Sequence, residues 1–386
     1  MNILFLTTVL PGQKRSGGEI VSQQLIDSLI QNGHRVLILG YKPREGNYQE
    51  NSNEISIGER YIETETAKYY PLIWMLSSYV QGLPYSAQKY YSKAYVAKIV
   101  EILAREHYDI VAIDHAQLGW LQDLPLGNHT KLMFVSHNIE HELYREQMQR
   151  TTNPILKKIY QRESQSIELM ENRLASTADQ VWTLTAHDAA YFTNVTNEER
   201  VKVFHVPANE PISTNVMTET GWDVGLLGTW TWQPNQEGLQ WFFECVYPRL
   251  PTTLSIRVAG KGANWLQDRY PNVRYSGFVP DAQVFITQAK VMAIPVLGGG
   301  GIQIKTLEAI SSGVSIVATP TALRGITNHP LSVRVASTPQ DFANRVVELI
   351  SLPTIDRASQ RSSATAWSQR RRQRFYQEVG DAIACN

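Results

Sequence analysis

The stretch GGGGIQIKTLEAISSGVSIVATP, residues 298–320, decides the fold. It follows an apolar run that ends near Leu297, and its four glycines precede a segment that should become helical near Ile302. Glycine is costly to order, so four in succession indicate that another group approaches the backbone closely. A helix N-terminus exposes unpaired N–H groups and favours anions. The stretch therefore predicts a strand, a glycine loop that holds a phosphate, a helix and a second strand.

Two charged residues follow the glycines, and their spacing suggests how a ligand would be held. Lys305 and Glu308 are three apart, so they project from neighbouring positions on the first helical turns. A lysine there can neutralise a diphosphate, and a glutamate can accept hydrogen bonds from a ribose diol. The alternative is a flexible turn in which the two residues form an exposed ion pair of little energetic value.

The same alternation of short apolar strands and helical segments runs through the whole chain. Apolar runs of strand length are typical of parallel sheets that are buried on both faces, and two successive arrays indicate two doubly wound α/β domains. The predicted strands lie at residues 2–10, 35–40, 108–114, 131–137, 180–185 and 201–207, and again at 222–228, 254–260, 273–279, 291–297 and 314–320.

The domain boundaries follow from a polar stretch without periodicity. We predict a Rossmann-like N-terminal domain at 1–207, a linker at 208–221, a Rossmann-like C-terminal domain at 222–360 and a C-terminal helix at 361–386. Whether that helix packs back toward the N-terminal domain is left open. Ligands of such sheets bind at the carboxyl ends of strands where the strand order reverses. A deep cleft between the domains is therefore the expected site.

Composition excludes several functional classes. The 386 residues carry 36 basic and 36 acidic side chains, so bulk charge gives no support for a nucleic-acid partner. Two cysteines form neither a disulfide framework nor a metal-ligand spacing, which predicts a cytoplasmic protein. Because apolar runs of membrane-spanning length are missing from the sequence, we expect at most a peripheral contact with the inner membrane surface.

Several segments together resemble a known family. GLLGTWTWQPNQEGLQWF, VRYSGFVPDAQVFITQAKVMAIPV, the glycine-rich stretch and TALRGI are similar to the donor domain of GT-B nucleotide-sugar glycosyltransferases of the retaining, family-4-like type. SGGE, DHAQLGWL, SHNIEHELYR and TAHDAAYF are weaker N-terminal matches in the expected order. The resemblance implies a GT-B fold and transfer of a sugar, with retention, from a nucleoside-diphosphate sugar to a glycan, lipid or small-molecule hydroxyl.

The resemblance also implies particular site residues. Glu308 matches the glutamate that binds the ribose, and His115 matches a histidine that the family often places near the transferred sugar. The remaining donor-binding positions, which match phosphate loops or the strand end that holds the base, are Gly17, Gly18, Gly228, Thr229, Phe278, Val279, Gly300, Gly301 and Ile302.

Two departures from the family pattern leave the donor sugar open. The family usually has a second glutamate eight residues before Glu308, where this chain has Gly300, and GTWTWQPNQEG lacks the basic pair that commonly follows the first strand of the donor domain. We hypothesise that Lys305 and the loop amides take over the phosphate contacts. They would stabilise the charge that develops on the leaving phosphate, with His115 and Lys305 as the catalytic residues and without a cofactor or metal.

Other interpretations compete with a transferase. A nucleotide-sugar epimerase would need acid and base carboxylates that the sequence does not identify, and a catalytically weak nucleotide-sugar-binding protein would fit the missing glutamate. Gly12, Gly17 and Gly18 lack dinucleotide-binding spacing, which argues against a dehydrogenase. His137 and His141 have the spacing of a helical metal pair, but a third ligand is not evident from the sequence.

Two further segments each allow a structural and a functional interpretation. The aromatic-rich residues 69–80, YYPLIWMLSSYV, are interpreted as buried core in preference to an acceptor groove or a membrane-facing patch. The basic run 370–374 is interpreted as a solvated helix face in preference to a lipid or phosphate site.

Overall fold

A computed structural model describes residues 1–13, 16–44, 48–61, 70–208, 221–352 and 354–384, with the side chains of residues 13 and 354–358 left out. The chain divides into two compact units. The first comprises Met1–Phe204 and Tyr376–Asn386, and the second comprises His205–Phe375. The boundary thus falls at 204/205 rather than at 207, and residues 209–220 of the expected linker lie outside the described part of the chain.

The first unit alternates strands and helices. Its strands are β1 Asn2–Val9, β2 Arg35–Pro43, β3 Glu54–Arg60, β4 Ile110–Asp114, β5 Lys131–Val135, β6 Gln180–Thr183 and β7 Val201–Val203. Its helices are α1 Gly17–Gln31, α2 Tyr70–Gln81, α3 Tyr85–Gln88, α4 Lys93–Arg105, α5 Glu140–Arg150, α6 Pro154–Thr177 and α7 Ala186–Val195.

The second unit repeats this alternation. Its strands are β8 Trp222–Leu227, β9 Ile256–Ala259, β10 Val273–Tyr275, β11 Ala289–Ile294, β12 Ser315–Ala318 and β13 Val333–Val335. Its helices are α8 Gln233–Trp241, α9 Ala282–Thr287, α10 Ile304–Ser311 and α11 Pro339–Ile350, followed by α12 Thr354–Ala384. The last turns of α12, from Tyr376 onward, belong to the first unit.

Both sheets are parallel at every described strand pair. The first has the order β3-β2-β1-β4-β5-β6-β7, and the second has the order β10-β9-β8-β11-β12-β13. The order reverses between β1 and β4 in one sheet and between β8 and β11 in the other. These two switch points are where a doubly wound sheet leaves a crevice for a ligand.

Burial explains why the sheets form. In β1 and β4 almost every side chain is buried, as continuous apolar runs predict for strands covered by helices on both faces. The core of the first unit joins Leu4 and Val111 of the sheet to Ile99 and Ile167 of the helices. A separate core in the second unit joins Val224, Leu239, Val291 and Phe342.

Several sequence predictions need correction. The sequence analysis missed β3 because it is largely polar, and it missed β13 because that strand has three residues. Neither gives the apolar run that marks a strand. The charge pattern of residues 142–175 predicts one long helical segment, and the structure divides it into α5 and α6, because Asn153 caps a new helix with Pro154 in its first turn. The helix after the glycines begins at Ile304 rather than Ile302, and the C-terminal helix begins at Thr354 rather than at 361.

Two assignments of burial were also wrong. Helix α2 is largely exposed rather than buried core, with Trp74 and Ser78 as its buried side chains. The basic run on α12 is not a wholly solvated face, because Arg371 is buried and donates to the carbonyls of Val206 and Gly325 at 2.7 and 3.1 Å. Among the described residues, no helix combines the length and the apolar character that crossing a bilayer requires.

Candidate functional site

The switch point of the first sheet gathers hydroxyl groups around a buried carboxylate. Asp114 ends β4 and is fully buried. Its Oδ2 accepts hydrogen bonds from the hydroxyls of Thr7 and Ser22 at 2.8 and 2.7 Å, and its Oδ1 lies 2.7 Å from Nε2 of His137. Burial alone would raise the Asp114 pKa, but the two neighbouring imidazoles and these hydrogen bonds outweigh it and lower the pKa to about 2. Asp114 is therefore ionised at neutral pH.

His115 is the next residue and has an unusual backbone. Its φ is +77°, a conformation that few non-glycine residues adopt. This turns the ring onto that of His137, with the ring centres 3.9 Å apart and the planes at 22°. Burial and then the His137 ring lower the pKa of His115 to about 4, against the attraction of Asp114. His115 is therefore a neutral imidazole at pH 7, which donates a hydrogen bond from one ring nitrogen and accepts one at the other.

The start of α1 lies against the same ring. A Cβ added at Gly18 would stand 3.2 Å from Cε1 of His115, so a larger residue would crowd the ring. Ser16 caps the helix by accepting from the amide of Glu19, and its hydroxyl donates to the Glu19 carboxylate. This cap begins the helix beside the carboxyl end of β1.

A polar cavity of about 170 Å³ opens at this point. It is lined by residues from the end of β1, the start of α1 and the turn after β4, namely Thr7, Thr8, Val9, Ser16, Gly18, Glu19, Ser22, Tyr90, His115 and Gln117. The lining offers hydroxyl, amide, imidazole and carboxylate groups at close range. Such a set suits a small ligand that is rich in hydroxyl groups.

The three side chains Asp114, His115 and His137 also lie close enough to be tested as metal ligands. One ligand atom of each falls within 4.8 Å of the others. However, both carboxylate oxygens of Asp114 accept hydrogen bonds, and the His115 and His137 rings are stacked with their centres 3.9 Å apart. The donor set therefore fits a hydrogen-bonded charge cluster better than tetrahedral coordination. His141 is engaged elsewhere, 2.9 Å from Glu171, so it does not pair with His137.

The switch point of the second sheet is built around Lys305, the second residue of α10. Its ammonium group donates a hydrogen bond of 2.6 Å to Oδ1 of Asn235, and the Asn235 amide donates at 3.0 Å to the carbonyl of Thr229. Lys305 is thus linked to the loop after β8 instead of lying exposed. Burial lowers its pKa to about 8, because the charged form has lost part of its hydration.

This lysine faces a small pocket of about 10 Å³ between the ends of β8 and β11. The pocket is lined by Leu227, Trp230, Asn235, Ala293, Ile294, Pro295, Val296 and Lys305. The carboxyl ends of two neighbouring parallel strands therefore meet the start of α10 at one point. Phosphates bind at such junctions in doubly wound sheets, but a pocket of this volume has room for about one water-sized group.

The glycine loop lies between β11 and α10. Gly299 and Gly301 have φ of +97° and +64°, which explains why glycine is needed at these positions. The guanidinium of Arg324 donates a 2.6 Å hydrogen bond to the carbonyl of Gly299 and so fixes the loop. A Cβ at Gly299 would meet the Trp232 ring at 3.0 Å. Gly300, Gly301 and Ile302 precede α10 as predicted from the sequence, although the helix begins two residues later.

The remaining predicted donor positions lie at strand ends of the second unit. Gly228 and Thr229 follow β8 directly. Phe278 and Val279 lie beyond β10, which ends at Tyr275, so they belong to a loop rather than to the strand. Phe278 is 69% exposed, and the ammonium of Lys261 lies 5.9 Å from the centre of its ring. Glu308 is half-buried on α10, one turn after Lys305.

Sequence reasoning missed several residues of the two sites. Asn235 and Arg324 have no signal of their own, although both lie inside segments that carried the resemblance. Asp114 ends β4 and His137 follows β5, and the two are 23 residues apart in the sequence. Only the parallel pairing of β4 with β5 brings them together. Glu19 could have been found, because S-x-x-E before an apolar helix is a capping box.

Comparison with known proteins identifies a family for the second unit. A family model described as Glycosyl transferases group 1 matches residues 222–351, which cover the second sheet, the glycine loop and α10. Residues 222–351 form a group 1 glycosyltransferase domain. The predicted positions Gly228, Thr229, Phe278, Val279, Gly300, Gly301, Ile302, Lys305 and Glu308 all lie in this glycosyltransferase domain. No curated protein matches the chain by sequence.

Solved structures extend the likeness to the whole chain. WaaG, a glycosyltransferase involved in lipopolysaccharide biosynthesis, is 14% identical with 98% of both chains covered and a TM-score of 0.62. Anabaena HepE, solved in complex with UDP-glucose, is 15% identical with all of both chains covered and a TM-score of 0.61. TarM is 10% identical, with 99% of this chain and 98% of that chain covered and a TM-score of 0.63.

At these identities the likeness establishes the fold. The chain has the GT-B fold, with a Rossmann-like first unit and the glycosyltransferase domain as its second. The resemblance stated from the sequence is therefore confirmed, for the family in residues 222–351 and for the fold over the whole chain.

Proposed function

We propose that this protein transfers a hexosyl group, with retention, from a nucleoside-diphosphate sugar to a hydroxyl of a glycan, lipid or small-molecule acceptor. One observation carries the proposal: a half-buried lysine at the start of α10, held at 2.6 Å by Asn235, stands directly after a glycine loop inside a group 1 glycosyltransferase domain. The solved complexes of Anabaena HepE with UDP and with UDP-glucose support a nucleotide-sugar donor.

The donor diphosphate would be held by Lys305 and by the amides of Gly300, Gly301 and Ile302. Cleavage of the sugar–phosphate bond develops negative charge on the leaving diphosphate. Donors already fixed toward that charge lower the barrier, because they need no reorganisation during the reaction. Glu308 would accept hydrogen bonds from the ribose, and the loop containing Phe278 and Val279 would hold the base. In a retaining transfer the acceptor hydroxyl attacks on the side of the leaving group, which can take its proton.

The polar cavity of the first unit supports a role in sugar or acceptor recognition. Neutral His115 can hydrogen-bond a sugar hydroxyl or pass a proton, and Asp114 with His137 would position its ring. Gly17 and Gly18 would let the diphosphate approach the N-terminus of α1. We further propose a reaction that needs no divalent metal, since Lys305 supplies the positive charge, and a cytoplasmic location, which the two-cysteine composition favours.

The donor is tested first by binding. A thermal-shift screen of UDP-, GDP- and ADP-sugars should raise the melting temperature for one nucleotide class, because a ligand of the native state stabilises it by mass action. Incubation of that donor with a panel of acceptors in EDTA, followed by NMR of the product anomer, then tests transfer, metal independence and retention. Binding without transfer or hydrolysis would favour the weak binding protein, and a changed sugar configuration in recovered donor would favour the epimerase.

Lys305→Ala tests the residue on which the proposal depends. We expect donor affinity to fall about 100-fold by calorimetry, since a charge-assisted contact to phosphate is worth about 3 kcal/mol when the site is desolvated. Lys290→Ala is the matched control, because Lys290 lies near the opposite end of β11 and pairs with Asp223 at 2.7 Å. Unchanged affinity in the Lys305 variant would refute the assignment.

A further inference from the structure

The basic run of α12 contains a buried arginine that joins two separate segments of the second unit. Arg371 is 6% exposed, whereas Arg370 and Arg374 in the same run are exposed. Its Nε donates to the carbonyl of Val206 at 2.7 Å, and its Nη2 donates to the carbonyl of Gly325 at 3.1 Å. Removing a guanidinium from water is costly, and its planar fork of donors offsets that cost when the acceptors are correctly placed. Arg371 therefore holds both carbonyls in defined positions.

The first of these carbonyls lies where the chain passes between the two units. The chain enters the second unit at His205, one residue before Val206, and leaves it at Phe375 within α12. Trp367 is buried one turn before Arg371, and the guanidinium carbon lies 5.5 Å from the centre of its ring. This cation–π contact holds the arginine side chain against its own helix. Arg371 thus connects α12 to the segment by which the chain enters the second unit.

The second carbonyl leads to the glycine loop. Gly325 directly follows Arg324, whose guanidinium donates a 2.6 Å hydrogen bond to the carbonyl of Gly299 in that loop. The same segment is attached to the end of β11 at another point, because the hydroxyl of Thr319 donates to the carbonyl of Val296. Two arginines therefore act in series. One holds the Gly325 carbonyl from α12, and the other, one residue earlier in the chain, holds the glycine loop.

We propose that Arg371 is a positioning residue that sets the conformation of the glycine loop through Gly325 and Arg324. Its hydrogen bond to Gly325 fixes the adjoining backbone, so the Arg324 side chain starts from a defined place and reaches the Gly299 carbonyl. The loop amides and Lys305 then face the donor diphosphate in the geometry required by the proposed function, on which this inference rests. A small displacement of such donors lowers their stabilisation of the leaving group.

Fluorine NMR of the donor-free, full-length protein labelled with fluorotryptophan tests the proposal. Trp232 reports on the glycine loop, because a Cβ at Gly299 would stand 3.0 Å from its ring, and Trp367 reports on Arg371. Replacing each tryptophan by phenylalanine assigns its resonance. Arg371→Met keeps an apolar stem of similar length and removes the donors, so we expect both resonances to shift. An arginine that only anchors α12 would shift the Trp367 resonance alone, and that result would overturn the proposal.

Arg372→Met is the matched control. Arg372 donates at 3.2 Å to the carbonyl of Ala208, so the control removes a cation from the same helix and the same entering segment while Arg371 stays in place. It should leave the Trp232 resonance at the wild-type position. In an Arg324→Met background, Arg371→Met should cause no further shift of Trp232, because the contact with the loop is already broken. Additive shifts would contradict a series of contacts and overturn the proposal.

Arg324→Met by itself tests the same coupling in the opposite direction, and it does not require an Arg371 variant to fold. Coupling between two sites is reciprocal, so this variant should shift the Trp367 resonance. An unchanged Trp367 resonance in a folded Arg324→Met protein would overturn the proposal.

Calorimetry measures the consequence for the donor separately. With the donor identified in the screen, Arg371→Met should lower affinity about tenfold, an amount typical of residues that act through intermediate contacts. Arg372→Met should keep the wild-type affinity. A shifted Trp232 resonance with unchanged donor affinity in the Arg371→Met protein would overturn the positioning role. A wild-type protein that binds no nucleotide sugar would instead refute the proposed function, because the NMR measurements use donor-free protein.

Discussion

At the scale of single residues, the environment of Lys305 is the most informative feature of the chain. A lysine that donates to a neutral amide has lost hydration without gaining a counter-charge, so its pKa falls to about 8. The proposed diphosphate would supply the missing negative charge and favour the protonated form. Ligand binding and protonation of Lys305 are therefore expected to be coupled.

This coupling predicts a pH dependence of donor affinity. Because the pKa of Lys305 in the free protein is about 8, the lysine is charged below that pH and neutral above it. Affinity should be constant below pH 8 and fall up to about tenfold per pH unit above it, as linkage requires for one proton. Calorimetry between pH 6.5 and about 9.5 measures this. Lys305→Arg is the control, since arginine stays charged and should remove the decline; a flat wild-type profile contradicts the prediction.

At the scale of elements, the glycine loop shows how backbone conformation builds the second site. Gly299→Ala adds a Cβ at φ +97° that would stand 3.0 Å from the Trp232 ring. We expect the loop to shift away from its hydrogen bond with Arg324, and donor affinity to fall at least about tenfold, as strain of about 1–3 kcal/mol implies. Calorimetry with the donor identified in the screen checks this result.

Gly33→Ala provides the comparison. Gly33 also has a positive φ, +84°, but a Cβ there meets no atom within 4 Å. That variant should lose about 1 kcal/mol of stability and keep its donor affinity. Equal loss of donor affinity in both variants would show that strain alone, and not the position of the loop, explains the effect.

Asp114 connects elements of the first unit. One carboxylate accepts hydrogen bonds from β1 and α1 and holds the His137 ring after β5. Its pKa in the folded protein is about 2, below its usual value of 3.8. A depressed carboxylate pKa stabilises the fold above the unfolded-state value, so the contribution is present above about pH 4 and is lost as pH falls through about 2.

Asp114→Asn should therefore reduce the free energy of unfolding at pH 6 by about 2 kcal/mol, the value of a depression of this size, and should flatten its fall in acid. Urea denaturation at pH 6 and at pH 3, followed through the transition in which the first unit unfolds, measures both effects. Asp123→Asn is the control, because Asp123 forms an exposed pair with Arg173 that contributes little. A variant with the wild-type acid slope would contradict this account.

At the scale of the whole molecule, the end of α12 completes the first unit. Val379 and Ile383 are buried, the Gln180 side chain donates to the carbonyl of Ala382 at 3.0 Å, and a Cβ at Gly380 would stand 2.8 Å from the Asn32 side chain. The last described turns of α12 thus pack within the first unit. We therefore expect the stability of the first unit to depend on the packing of these α12 side chains.

Ile383→Ala tests this dependence. Ile383 is 1% exposed, so its truncation should cost about 2–4 kcal/mol and lower the melting temperature of the first unit. Val347→Ala on α11 is the matched control, because its partly exposed side chain should cost much less. Calorimetric scanning of both variants provides the measurement, and an unchanged transition in the Ile383 variant would contradict the packing described for α12.

The sequence by itself determined the chemistry of the elements: apolar runs that form parallel strands, glycines that permit positive φ, and a lysine placed just after them. Local patterns suffice for these features because strand burial, backbone freedom and helix polarity act over a few residues. They predicted the fold class, and they predicted that Gly300, Gly301 and Lys305 follow a strand and lead into a helix, as β11 and α10 show.

Only the tertiary structure decided which distant residues meet. Asp114 contacts Thr7, Ser22 and His137 because β1, α1 and β5 converge at the carboxyl ends of the strands. Asn235 contacts Lys305 although the two are seventy residues apart in the sequence. It also decided that the apolar side of α2 faces water, which periodicity cannot reveal. A hydrophobic stripe has the same spacing whether it faces a core or a solvent, and only packing distinguishes the two.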